Sequence, residues 1–164
     1  MNGIRMINEA VVVFIRHESQ YLMLKRIENT DIDPGLYNGV GGRVALGETY
    51  LDTAVRKVHE ETGFRMEEGR FKLVGIVRQE GCKHGDWIIA NFVVESEGGD
   101  PPAGWETKDG KLEWIPESEV LKKQVVADLQ HTFPYVCGGQ GIFYGVVTLD
   151  AAQNIVNVRL NLTQ

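Results

Sequence analysis

Residues 10–16 (AVVVFIR) form an unbroken run of mostly β-branched side chains, the pattern of a buried strand. Residues 21–25 (YLMLK) follow after the polar break His17-Glu18-Ser19-Gln20, so the two runs predict a hairpin. Further strands are expected over 71–79, 87–95 and 111–115, with a short helix starting at 116–121. A C-terminal hairpin is expected from 142–149 and 154–161. Residues 28–36, with Asp33-Pro34-Gly35, and 97–104 read as loops. One segment carries clear helical spacing, Thr49 to Thr62. At about 100° per residue, Leu51, Ala54, Val55 and Val58 share one face and Thr53, Arg56, Lys57, Glu60 and Glu61 the opposite one. Thr49 suits the N-cap and Gly63 the left-handed C-terminal cap. Many strands around one strong helix predict an α+β fold, a mixed sheet with helices on its faces.

The chain has 164 residues without internal repeat or linker, and reads as one domain over 1–164. With 17 Lys and Arg against 23 Asp and Glu, its formal charge is −6. Such a chain is repelled by phosphate polymers and anionic membrane surfaces. A small phosphorylated ligand remains open to it if a divalent cation bridges the negative partners. No apolar run approaches the ~18 residues of a membrane span. The opening MNGIRMINEA lacks the apolar core of a secretory leader. Cys82 and Cys137 stand in no metal-ligand spacing. The expectation is free thiols in a reducing cytoplasm, with a disulfide as the minority alternative.

Read alone, the helix is a surface helix laced by Arg56–Glu60 and Lys57–Glu61 pairs, each worth about 0.2–0.5 kcal/mol. The glycine-rich approach through Gly41, Gly42 and Gly47 to Glu48 changes that reading. It lets Glu48, Glu60 and Glu61 converge, and clustered carboxylates repel one another unless a cation lies among them. Hard oxygen ligands select Mg2+ or Mn2+, ions that also hold substrate phosphates.

Residues 42–64 (GRVALGETYLDTAVRKVHEETGF) resemble the Nudix box, G-x5-E-x7-R-E-U-x-E-E-x-G-U, with U bulky and apolar. Gly42, Glu48, Arg56, Val58, Glu60, Glu61, Gly63 and Phe64 fill eight of its nine fixed positions. The ninth, a Glu in the family, is Lys57 here. The strand order before the box and Trp114-Ile115-Pro116 after it extend the resemblance to a whole Nudix domain. It implies an α/β/α sandwich around a mixed sheet, and hydrolysis of nucleoside diphosphates linked to another group, with divalent cations. It further implies Glu60 and Glu61 as metal ligands, the Gly41 carbonyl as a third, and Arg56 as the group orienting Glu48 and the helix carboxylates. Asp109, five residues before Trp114, lies where relatives carry a further acid near the metals; Glu106 competes for that role, and an exposed loop acid is the alternative for both.

Tyr37-Asn38-Gly39-Val40-Gly41-Gly42-Arg43 resembles the W-N-G-x-G-G-K segment of the MutT-like, oxidised purine nucleoside triphosphatase branch. That places Asn38 at the base, unless Asn38-Gly39 is only a turn dipeptide. Asp128, ahead of Phe133-Pro134, matches a base-reading Asp of that branch, with an exposed helix residue as its alternative. Lys25, ending the second strand with Arg26, either meets phosphates or is simply solvated. His59 reads as a surface residue, and Trp87 and Trp105 as core or pocket wall.

The expectation is thus a Mg2+-dependent (or Mn2+-dependent) nucleoside triphosphate hydrolase releasing a nucleoside monophosphate and pyrophosphate, 8-oxo-dGTP being one such substrate. Two alternatives stand beside it: a hydrolase of ADP-ribose or a nucleotide sugar, and a nucleotide-binding module with little turnover because of Lys57.

Overall fold

The strand β1 (Ile7–His17) sorts its side chains by pleat. Val11, Val13 and Ile15 are buried on one face and Phe14 on the other. Both faces are covered, which is why the run reads as continuously apolar. The computed structural model describes residues 3–163; positions 1, 2 and 164 of the expected domain lie outside the described residues.

Along the chain follow β2 (Gln20–Arg26), β3 (Tyr37–Asn38), β4 (Val40–Arg43), α1 (Tyr50–Thr62), β5 (Phe71–Glu80) and β6 (Asp86–Glu95). Then come β7 (Glu106–Thr107), β8 (Gly110–Pro116), α2 (Glu117–Val120), α3 (Leu129–Gly138), β9 (Ile142–Leu149) and β10 (Ile155–Thr163). The strands join in one mixed sheet, ordered β10-β9-β5-β6-β1-β2-β8-β7. The β1–β6 and β5–β9 pairs are parallel. Helix α1 packs on one face through Ala54 and Val58, and α3 on the other through Leu129, Phe133 and Val136. This is the expected α/β/α sandwich.

The sheet splits at one place. The C-terminal end of β1 pairs with β2, Ile15 opposite Leu22, while its middle pairs with β4, Val13 opposite Val40. The short β3 pairs instead with β2, Leu24 opposite Asn38. Gly39 sits at the crossing, where a Cβ would stand 2.7 Å from the Val13 carbonyl oxygen. Asn38-Gly39 is therefore a strand junction and not the turn dipeptide offered as its alternative.

Helix α1 begins and ends where expected. Thr49 and Asp52 form a reciprocal capping box, and Gly63 closes the helix at φ 79°. Its buried side differs from the apolar face read from spacing. Thr53, Lys57 and Glu61 are buried beside Ala54, Val58 and Thr62, while Leu51 and Val55 are only half-buried. The stripe has rotated toward the glycine-rich β4.

The strand and helix pattern gives no element over α3; only the alternative for Asp128 places a helix there. Pro134 stands inside it and removes one hydrogen-bond donor. Burial of Leu129, Thr132, Phe133 and Val136 outweighs that local cost. Cys82 and Cys137 are both free thiols. Among the described residues, no helix is long and apolar enough to cross a membrane.

Candidate functional site

Charges of alternating sign run along α1. Arg56 Nε donates to both oxygens of Glu48, at 3.1 and 2.9 Å, and Nη2 adds a 2.8 Å bond to Oε1. Arg56 Nη1 reaches Glu60 at 3.2 Å. Lys57 Nζ lies 3.2 Å from Glu60 Oε2 and 3.3 Å from Glu61 Oε1. The order is Glu48, Arg56, Glu60, Lys57, Glu61. Both i,i+4 pairs expected on the helix form, but Lys57 and Glu61 are 8% and 2% exposed, so this is not a solvated face.

Asp109, at the β7–β8 turn, faces this row. Burial above all, and the Asp109 carboxyl, hold Glu61 above the usual carboxylate range. Asp109 is held below its ordinary value by its interaction with Glu61, then by Lys57 and Lys108. Of the two, Glu61 therefore holds a proton more readily than Asp109.

The all-oxygen donor set of Glu60, Glu61 and Asp109 suits a hard divalent cation. Among the described residues, Glu61 Oε2 is buried without a hydrogen-bond partner. Among the described residues, no group of three or more His, Cys, Asp or Glu side chains forms a ready metal cage. The cation already among these acids is Lys57.

A cleft of about 820 Å³ is lined by Gly41, Gly42, Arg56, Lys57 and Glu60 together with Asn38 and Asp128. Asn38 Oδ1 accepts from the Gly39 N–H at 2.8 Å, which leaves its amide NH2 for a ligand. Asp128 directly precedes α3 but makes no side-chain cap. Burial, the largest cause, pushes the Asp128 carboxyl above its ordinary value; Gln79 opposes this and Asp33 adds to it. Asp128 is thus a half-buried cleft residue, not the exposed helix residue of the alternative reading.

The structure places other expected residues away from the cleft wall. Lys25 stands over the Tyr37 ring at 6.0 Å, and Arg26, on the opposite pleat, lines the cleft instead. Glu106 is exposed and pairs with Lys111 at 3.5 Å, so Asp109 alone of the two competing acids reaches the cleft. Glu48 lies behind Arg56. His59 is exposed. Trp87 lines the cleft with Arg43 stacked 4.7 Å above its ring, while Trp105 is exposed.

Gln79 and Asn91 also line the cleft and were missed by the sequence reading. Their signal was present. Asn91 interrupts the apolar run of β6, and a lone amide inside such a strand needs a partner.

The NUDIX domain model matches residues 6–136. The uncharacterized Nudix hydrolase YvcI of Bacillus subtilis is 25% identical over 77% of this chain and 80% of its own. The crystal structure of the MutT protein from Bacillus halodurans superposes with TM-score 0.80 at 23% identity, covering 94% of this chain and 97% of that one. The NUDIX domain of NrtR from Shewanella oneidensis, solved with ADP ribose, superposes with TM-score 0.65 at 15% identity, over 84% of this chain and 89% of that one. With the box seated on α1 and the match spanning the split sheet, the chain belongs to the Nudix hydrolase family.

Proposed function

We propose that the protein hydrolyses a nucleoside triphosphate, purine-bearing and with 8-oxo-dGTP among its substrates, to a nucleoside monophosphate and pyrophosphate, using Mg2+ or Mn2+. The supporting observation is the lining of the cleft. One wall carries two kinds of chemistry, the acids and cations around α1 and the amide and carboxyl groups of Asn38 and Asp128. That combination suits a ligand that carries both a phosphate chain and a hydrogen-bonding base.

A bound divalent cation would supply charge to offset that building up on the phosphate oxygens. Glu60, Glu61, Asp109 and the Gly41 carbonyl would hold it. Arg56 orients Glu48 and Glu60 through charge-assisted bonds, a supporting role such sites need. Asn38 offers amide donors to the base edge, and Asp128 in its neutral form a further donor. Arg26 and Arg43 bring positive charge to the cleft wall for the phosphates.

The test is product release from a panel of purine and pyrimidine triphosphates, 8-oxo-dGTP, ADP-ribose and a nucleotide sugar, each with Mg2+ and with Mn2+. Pyrophosphate from purine triphosphates is expected. Turnover of ADP-ribose alone, the ligand of the NrtR domain, would move the reading to that substrate class. Binding without product would make the protein a nucleotide sensor.

A further inference from the structure

Lys57 is held as a built part of the acid cluster. Its ammonium contacts Glu60 and Glu61 at 3.2 and 3.3 Å, and its side chain is one-tenth exposed. Its stem lies in a space that exists only because residue 42 is glycine: a Cβ there would sit 2.6 Å from Lys57 Cε and 3.2 Å from Nζ. Asp109 lines the same cleft wall from the β7–β8 turn. One monocation thus stands among three acids drawn from α1 and the β7–β8 turn, on the wall of the cleft.

We infer that the Lys57 ammonium is a resident cation, occupying one of the positions among Glu60, Glu61 and Asp109 that a divalent ion would otherwise take. The inference rests on the metal-dependent reading above and deepens it. An ammonium cannot accept a metal–ligand bond, and its charge repels a second cation at this distance. It delivers the same kind of charge to the cleft without being bound from solution. The consequence is a chain that binds fewer divalent ions, and binds them more weakly, than one with a neutral or acidic side chain at 57. Glu61 is the acid most affected: one oxygen faces Lys57 and the other has no partner, so the ammonium satisfies only half of it.

Mn2+ titration by calorimetry and by electron paramagnetic resonance, on the folded full chain with and without a non-hydrolysable triphosphate, tests this. The forms compared are wild type, Lys57→Arg, Lys57→Met and Lys57→Glu. Lys57→Met keeps most of the length of the side chain without its charge, and serves if Lys57→Glu fails to fold among the neighbouring acids. The expected result is Mn2+ affinity about tenfold or more tighter in Lys57→Met, from loss of the repulsion. One further Mn2+ per chain is expected in Lys57→Glu, and wild-type behaviour in Lys57→Arg. Equal affinity and stoichiometry in all four forms overturns the inference while leaving the hydrolase reading intact. No Mn2+ binding in any form, with or without nucleotide, overturns both.

Discussion

Gly42 and Lys57 are packed so closely that a methyl group on the first would stand 2.6 Å from Cε of the second. Lys57 carries the ammonium that joins Glu60 to Glu61, so one glycine in β4 governs the position of a charge on α1. Gly42→Ala is expected to cost about 1–3 kcal/mol, the usual range for overpacking. In a Lys57→Ala background most of that cost should vanish, because the obstructing side chain is gone. Urea unfolding of the two single variants and the double variant measures the coupling; additive effects would mean that the strain lies elsewhere.

Glu61 is buried, and its replacement does not carry the small cost of a surface change. Glu61→Gln keeps the shape but weakens the Lys57 pair and places an amide where Oε2 lacks a partner. We expect a loss of about 1–3 kcal/mol in stability. Turnover should fall by about 100-fold or more, with a higher Mg2+ requirement. Wild-type turnover at wild-type Mg2+ would remove Glu61 from the site.

Arg56 holds Glu48 through two nitrogens, a geometry that a single ammonium cannot reproduce. Arg56→Lys should lower turnover by about 10–100-fold, as when the support of a metal site is loosened. Folding should survive. A rise in the nucleotide KM with unchanged kcat would contradict a positioning role.

Asn38→Ala tests the proposed contact to the base. Loss of its amide donors should reduce discrimination between purine and pyrimidine triphosphates by about 1–3 kcal/mol. The measurement is kcat/KM across the panel. A uniform fall for every base would instead report damage to the β3–β4 junction.

Asp128 makes a prediction in pH. Burial raises its native pKa, so the folded chain keeps the proton longer than the unfolded one. Its favourable contribution is full below the unfolded value of about 3.9 and is lost as pH rises through the native value. Asp128→Asn should therefore stabilise the protein at neutral pH, with the gain shrinking toward zero as pH falls to about 4. Urea midpoints from pH 4.5 to 8 give the slope. A gain independent of pH would mean that Asp128 keeps its ordinary pKa.

Local chemistry made much of this molecule readable. The caps of α1, the β1–β2 hairpin and the C-terminal hairpin each follow from side chains within a few residues of one another. The box residues could be placed for the same reason: their spacing is that of one helix and its entry loop. Strand phase was harder. Lys25 and Arg26 are adjacent and alike in charge, and only the pairing of β2 with β3 and β8 sends Arg26 to the cleft and Lys25 to Tyr37.

The sequence by itself determined which residues α1 contains and the order of its charges, because hydrogen bonds along the helix and i,i+4 spacing are properties of the segment. Tertiary structure decided which way that helix is turned. That turn goes with Gly42 of β4, whose missing side chain leaves room for Lys57, while Glu61 is buried on the same side of the helix. It also decided that α3 forms despite Pro134, since the burial that stabilises it involves β1, β2 and β5, remote in the chain. Burial is a relation between distant segments, and so the burial of Glu61, the resident ammonium beside it and the reach of Asp128 into the cleft became legible only once the sheet had brought those segments together.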